Sequence, residues 1–386
     1  MKNFAILGGG PAGTAAALAA RRLGMSVAIW DRDQFPRDKV CGEFLSWESL
    51  PILQQEIPAA LARSSVIRSA EFISQRGRIY AFPLPRPARG LSRHTLDQAL
   101  WHAAIAQGAE AHQGDAVRRV HRLTNSDALK DRGWQIETAS RKTWQAQRLL
   151  VACGRWWALD GLPSPARNGG ARESTDWLGA KAHFAGVSPR DVVELYFFPG
   201  GYCGLAPVEN GLYNVCCLLH RGVVQGAGGF QPADLARSLK AAARHGSLDG
   251  RLRGAAQVSN TLTTAPVCPA RRRGHYRGAL VAGDAGGFLD PFTGDGISMA
   301  LHTGRVAAAT LANAASGNQG PDSRAEESEP GRRYLRRVRA VRKSFRVATI
   351  LRLLIRTPAL IQDSAATVLS NFAPQLLAGT RWRDEA

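Results

Sequence analysis

The first apolar run of the chain, Phe4-Ala5-Ile6-Leu7, ends at Gly8-Gly9-Gly10-Pro11-Ala12-Gly13. A short run of this kind stopped by glycines predicts a buried strand entering a tight turn. Thr14 to Leu23 is Ala-rich and helical in pattern, and Ser26-Val27-Ala28-Ile29-Trp30 reads as a second strand ending at Asp31. Strand patterns follow at Val66 to Ser74 and Arg78 to Pro87, a helix pattern at Arg93 to Gln107, and strand-like pieces at 116–123, 133–138 and 147–152. Residues 176–265 alternate as an antiparallel sheet does, with turns at Pro199-Gly200-Gly201 and Glu209-Asn210-Gly211 and a helix near 232–244. Ala279 to Ala282 reads as a buried strand running into Gly283-Asp284, and Ile297 to Ala315 as a helix. Gly317 to Gly331 is polar and predicts a linker.

The glycines at 8, 10 and 13 fit G-x-G-x-x-G. That spacing supplies a tight turn, close backbone approach to a pyrophosphate, and close helix–strand packing. The helix behind it turns its N-terminal amides toward the phosphates. Asp31 closes the second strand where an acid accepts hydrogen bonds from an adenosine ribose. At the far end, Gly283-Asp284-Ala285-Gly286 precedes Asp290-Pro291-Phe292-Thr293-Gly294-Asp295-Gly296-Ile297. In this order the two segments describe one long cofactor held at both ends by a discontinuous domain, and FAD is that cofactor. The alternative for either segment alone is an ordinary Gly-rich turn.

The predicted fold is α/β. A Rossmann-like FAD-binding domain (1–65, 91–165 and 266–316) carries an inserted antiparallel β-sheet substrate domain (66–90 and 166–265). The linker (317–331) leads to a basic C-terminal helical segment (332–386).

Charge adds one feature. Fifty Lys and Arg against 31 Asp and Glu give +19, and ten basic residues with no acid lie between Arg332 and Arg356. Leu335, Val338, Val341, Phe345, Ala348, Leu351 and Leu354 recur there as on one helix face. A basic amphipathic helix either lies on an anionic membrane or packs on its own domain with Arg in water. No nucleic-acid motif accompanies the charge, so nucleic acid is not an expected partner. The six cysteines show neither metal-ligand spacing nor a disulfide framework, so reduced thiols in the cytoplasm and no metal are expected. The first strand leaves no room for a signal peptide, and no uncharged run is long enough to span a bilayer.

With these stations in place the chain resembles the geranylgeranyl-reductase-like branch of the FAD-dependent oxidoreductases, which share the para-hydroxybenzoate-hydroxylase-type fold with flavin monooxygenases and halogenases. The resemblance rests on Gly8 to Gly13, Asp31-Arg32, Phe35-Pro36-Arg37-Asp38-Lys39-Val40-Cys41-Gly42-Glu43, Arg93 with Leu96-Asp97 and Leu100, Gly283-Asp284, and Asp290 to Ile297. It covers residues 1 to about 315.

The resemblance implies that Gly8, Gly10, Pro11, Ala12 and Gly13 cradle the pyrophosphate. Asp31 holds the ribose, Arg32 lies beside the adenine and Val117 offers it backbone. Arg93 reaches the pyrophosphate or ribityl chain, and Gly283 with Asp284 binds ribityl hydroxyls. Gly294, Asp295, Gly296 and Ile297 turn amides toward the N1–C2 edge of the flavin, where a helix N-terminus favours the anionic reduced ring. Pro291 lines the ring. Cys41 and Gly42 lie beside it, with the Cys41 thiol either a proton donor or simply a small buried residue.

Departures narrow the chemistry. Cys153-Gly154 stands where the hydroxylases have Asp-Gly, which puts direct NADPH reduction in question and leaves the electron donor as NADPH or a protein. Tyr202-Cys203-Gly204-Leu205-Ala206-Pro207 lacks the bulky groups of the reductases' Tyr-x-Trp-x-Phe-Pro and implies a roomier or reshaped pocket. No Lys occurs between Lys39 and Lys130, against halogenation. The implied activity is redox chemistry on a lipophilic unsaturated or aromatic metabolite. Reduction at carbon–carbon bonds comes first, hydroxylation second, and a basic membrane-associated flavoprotein without turnover third.

Overall fold

A computed structural model describes residues 2–123, 133–163, 176–226, 234–268, 270–271, 274–288, 291–313, 323–340 and 363. Two sheets organise them. In the first, β1 (Lys2–Leu7) is central, parallel to β2 (Val27–Asp31) on one side and to β6 (Thr143–Val151) on the other. β5 (Glu110–Gln113) extends the sheet beyond β2, and β11 (Ala279–Val281) beyond β6, both in parallel. A hairpin, Val117–Leu123 with Gly133–Thr138, leans antiparallel on β6. Strands buried on both faces need continuous apolar sequence, and Phe4 to Leu7 are at most 1% exposed.

Three helices cover this sheet. α1 (Pro11–Arg22) follows β1, α2 (Arg93–Ala106) precedes β5, and α3 (Gly296–Asn313) follows the second glycine-rich segment. α1 and α3 pack backbone against backbone, because a Cβ on Gly304 would lie 2.1 Å from the Ala12 carbonyl oxygen. The N-terminus of α1 is thereby tied to the middle of α3. Ser92 caps α2 by accepting from the Thr95 N–H.

The second sheet runs 256–257, β7 (Trp177–Ala185), β10 (Tyr213–His220), β9 (Gly201–Pro207), β8 (Val192–Phe198), β3 (Ser65–Ile73), β4 (Ile79–Gly90), then Phe44–Leu45. One pair inside it is parallel, β8 with β3, so the expected wholly antiparallel sheet is mixed. The excursion strand β3 enters beside β8 in the same direction, because its own antiparallel partner β4 lies on the other side. Along β10, Val215, Cys217 and Leu219 join a core on one face, into which the helices Leu235–Ala243 and Gly246–Arg251 pack. Asn214, Cys216 and Leu218 point to the other face, by the two-residue alternation of a strand.

The C-terminal prediction needs one correction. Residues 323–331, predicted as linker, belong to helix α4 (Ser323–Arg337). Docking prevails over local composition there: Gly331 lies so close to the His275 ring that a Cβ would approach within 2.5 Å. The Tyr334 hydroxyl donates to the Val281 carbonyl at 2.9 Å. Arg332, Arg333, Arg336, Arg337 and Arg339 are exposed, so this stretch packs on its own domain while leaving Arg in water. The remaining basic residues to Arg356 lie outside the described residues, as do Leu289 and Asp290. No helix among the described residues is long and apolar enough to cross a membrane.

Candidate functional site

The β1–α1 turn separates the jobs of its glycines. Gly8 has φ 106, and a Cβ there would meet the Ala152 carbonyl oxygen at 2.3 Å. A Cβ on Gly13 would fall 1.8 Å from the Gly8 carbonyl oxygen. Gly9 lies against the Trp101 ring. Gly10 differs: its φ of −75 suits any residue, and the atoms nearest its Cβ position are guanidinium nitrogens of Arg37 and Arg93, each 3.9 Å away. Nothing in the protein requires a glycine at 10, whereas a phosphate laid on the turn does. Pro11 and Ala12 open α1 and are buried, as the first turn of a helix aimed at an anion requires.

Around that open space the charges are arranged. Asp31, 6% exposed, accepts the Gly9 N–H at 2.6 Å and the Asp33 N–H at 2.9 Å, and pairs with Arg37. Arg37 also reaches Asp33 at 2.9 Å and Asp97 at 3.6 Å, and stacks over the Phe35 ring. Arg93 makes a two-pronged contact with the fully buried Asp97, at 2.7 Å for each nitrogen. Burial pulls the Arg93 guanidinium down, but Asp97 more than offsets it and the net direction is up. Two fixed guanidiniums therefore face the glycine turn, a geometry suited to a pyrophosphate. Arg32 by contrast is exposed beside Asp33, and Val117 is half-buried at a bulge of the hairpin.

The second end is built from β11 and α3. Gly283, at φ 61, opens a short turn carrying the half-buried Asp284, and its N–H donates to the Thr303 hydroxyl at 3.0 Å. Pro291 is exposed, Gly294 sits at φ 67 against the Phe44 ring, and the buried Asp295 offers its carbonyl to the Met299 N–H. Gly296 begins α3 with nothing within 4 Å of its Cβ position. Ile297 packs into the core through its side chain, leaving only backbone to a ligand. Gly42 likewise has nothing within 4 Å. Open glycines at 10, 42 and 296, with acids at 31 and 284, fit an extended FAD.

The Cys41–Gly42 turn rests on the second sheet. The Asn214 side-chain amide donates to the Cys41 carbonyl at 2.9 Å, and the Glu43 N–H points at the Cys41 sulfur, 3.4 Å away. Burial pushes the Cys41 thiol up; Arg93 pulls it back and Glu43 adds to the rise, so the net direction is up and the sulfur holds its proton at neutral pH. Beneath the turn, Lys181 donates to Glu43 at 2.5 Å and to Asp38 at 3.1 Å, and His183 Nε2 lies 2.7 Å from Glu43. Asp38, Glu43 and His183 cluster as metal ligands would, but the Lys181 ammonium already bridges the two acids.

Further along the same face, Phe72, Phe197 and Tyr202 surround Phe292 from the second glycine segment, at ring separations of 5.7, 5.6 and 5.8 Å. Trp177, Leu218 and Val267 complete this apolar floor. Gly204 adds no open volume: Leu195 leans over it at 3.3 Å, so the pocket is reshaped. Cys153 donates its thiol to the Leu7 carbonyl at 3.2 Å, and burial, with Asp31 adding, pushes it up to about 12.

Sequence reading gave no role to Arg37 and Asp97, which both stood inside quoted stretches, and missed Lys181, His183 and Asn214. Lys181 and His183 carried only the signal of charged residues in an apolar strand.

No family model matches the chain. It is 28% identical to a menaquinone reductase of Mycolicibacterium smegmatis, over 79% of this chain and 75% of that one. A digeranylgeranylglycerophospholipid reductase of Methanopyrus kandleri is 26% identical, over 81% and 77%. The flavin-dependent brominase Bmp2 has the same fold, with a TM-score of 0.77 at 19% identity, covering 100% of this chain and 95% of that one.

Proposed function

We propose that this FAD-dependent oxidoreductase is of the geranylgeranyl-reductase-like kind and that it reduces carbon–carbon double bonds of a lipophilic isoprenoid. The observation that carries this is the face shared along β10. Asn214 holds the Cys41 turn, and four residues on, about 14 Å away at ~3.4 Å per residue, Leu218 lies in the aromatic floor. The turn that carries the protonated Cys41 thiol and an apolar, aromatic surface thus meet the same side of one sheet. A long unsaturated chain bearing a reactive carbon fits both. The relatives named as menaquinone and digeranylgeranylglycerophospholipid reductases support that substrate class.

Bound FAD, once reduced, supplies the hydride. The glycine turn with Arg37 and Arg93 would hold the pyrophosphate, Asp31 the ribose, and Asp284 the ribityl hydroxyls. The amides from Gly294 to Ile297 would serve the flavin ring, with Pro291 lining it. Cys41 gives its thiol proton to the carbon that does not receive hydride, and the thiolate recovers a proton from solvent. One hydride and one proton saturate one double bond, with no oxygen consumed.

Cys153 hydrogen-bonds inward where hydroxylases carry an acid, which supports a donor other than NADPH. Isoprenoid lipids reside in membranes, and the five exposed arginines from Arg332 to Arg339 are the surface proposed to meet an anionic one. A Cys41→Ser holoenzyme tests the proton step. It should bind FAD normally and lose most turnover; full turnover would remove Cys41 from the mechanism.

A further inference from the structure

Glu43 is fully buried and holds a left-handed backbone, φ 56, although it bears a side chain. Such a conformation persists where its surroundings over-determine it, and here every polar group of the residue is engaged. The N–H faces the Cys41 sulfur and the carbonyl accepts from Leu91. One carboxylate oxygen takes the Arg93 N–H at 2.7 Å and the Lys181 ammonium, and the other takes His183. Three parts of the molecule meet at this one carboxylate: the first residue of α2, whose guanidinium faces the glycine turn; strand β7 of the substrate sheet; and the Cys41–Gly42 turn. Lys181 is 1% exposed and continues to Asp38. A buried carboxylate–ammonium pair is costly to desolvate and contributes little to stability by itself, so its presence points to a task other than stability.

We propose that Glu43 and Lys181, with His183, are the positioning residues of the reaction: they fix the Cys41–Gly42 turn, and with it the Cys41 sulfur, against the flavin. The proposal rests on the Cys41 role given above. The charged and titratable groups acting on Cys41 are Arg93 from α2, Glu43 from its own turn, Lys181 from β7 and the Cys216 thiol from β10. Glu43 favours the thiol, whereas Lys181 and Arg93 favour the thiolate. Removing either member of the pair therefore displaces Cys41 in opposite directions. A pair that merely braced two lobes would not produce this sign reversal.

The experiment is the pH profile of Cys41 alkylation by iodoacetamide in FAD-loaded protein, read on the Cys41 peptide by mass spectrometry. Glu43→Gln should alkylate about tenfold faster at a given pH and Lys181→Met about tenfold slower, as one charge a few ångströms away dictates. Where a single variant fails to fold, the charge-free double variant Glu43→Gln/Lys181→Met carries the test. It should return to within about threefold of the parent if the two act as a coupled pair. Profiles that do not move, that move the same way in both single variants, or a Cys41 unreactive throughout overturn the proposal. Turnover of Cys41→Ser is measured alongside. Full activity there with opposed alkylation shifts would remove the proton-donor role and leave the positioning intact; lost activity with unmoved profiles would do the reverse.

Discussion

Gly10→Val should separate the cofactor from the fold. The backbone at Gly10 is ordinary, and its Cβ position has no neighbour closer than 3.9 Å. The FAD-free variant therefore loses only what a poorer helix N-cap costs, at most about 1 kcal/mol, or about 2 °C in Tm for a chain of this size. The bound pyrophosphate has no such latitude. Displacing it from the amides that begin α1 forfeits about two charge-assisted hydrogen bonds at ~1.5–3 kcal/mol each. FAD affinity should then fall about 10²- to 10⁴-fold. Gly13→Ala is the contrast, since its Cβ lands 1.8 Å from the Gly8 carbonyl oxygen and must unfold or shift the turn whether or not FAD is present. Flavin fluorescence titration gives the affinities and melting of FAD-free protein gives the stabilities. A Gly10→Val protein that binds FAD as tightly as the parent, or that melts as low as Gly13→Ala, refutes the reasoning.

Asp284→Ala should retain the fold and bind FAD about tenfold or more weakly, because one charged acceptor is lost; unchanged affinity would take Asp284 out of the cofactor site. Glu209 accepts the Ser92 N–H at 2.8 Å and the Ser92 and Thr95 hydroxyls at the start of α2. Burial raises its pKa, but these hydrogen bonds outweigh burial and the net direction is down. The folded value lies below the unfolded one, so the contribution is complete above about pH 4.5 and disappears as pH falls through the folded value. Glu209→Gln should cost about 2 kcal/mol at pH 7 and flatten the loss of stability below pH 5, measured by urea titration. An acid slope identical to the parent's would contradict this. Sedimentation with anionic vesicles should retain the protein at low ionic strength and release it near 1 M salt, where the screening length is about 3 Å. No retention at low salt would assign the Arg332–Arg339 surface to packing alone.

How far the molecule could be read from its sequence depended on the range of the interactions involved. The β1–α1 turn was legible because Gly8, Gly10 and Gly13 lie within six residues in one recognisable spacing, although only Gly13 answers to a local contact. Asp31 was legible because it ends the next strand. Helix α4 was misplaced because its N-terminal part is polar and contains Pro330-Gly331, and what stabilises it is contact with His275 and Val281. The Glu43–Lys181 pair spans 138 residues and has no periodicity to betray it. In the sequence Lys181 interrupts an apolar strand and carries no sign of its partner. The stretch Tyr202 to Pro207 left a roomier and a reshaped pocket both open, and the choice between them rests on Leu195 of the neighbouring strand, which leans into the space at Gly204.

The central claim is hydride delivery to a carbon–carbon double bond without oxygen. Holoenzyme reduced with dithionite is mixed anaerobically with an unsaturated isoprenoid lipid in a stopped-flow spectrometer, and the lipid is then weighed by mass spectrometry. The account predicts that the flavin reoxidises in the absence of oxygen, that the lipid gains two hydrogens per flavin, and that NADPH alone reduces the flavin slowly. Flavin that stays reduced until air is admitted, followed by a lipid carrying one added oxygen atom after fast NADPH reduction, would contradict it.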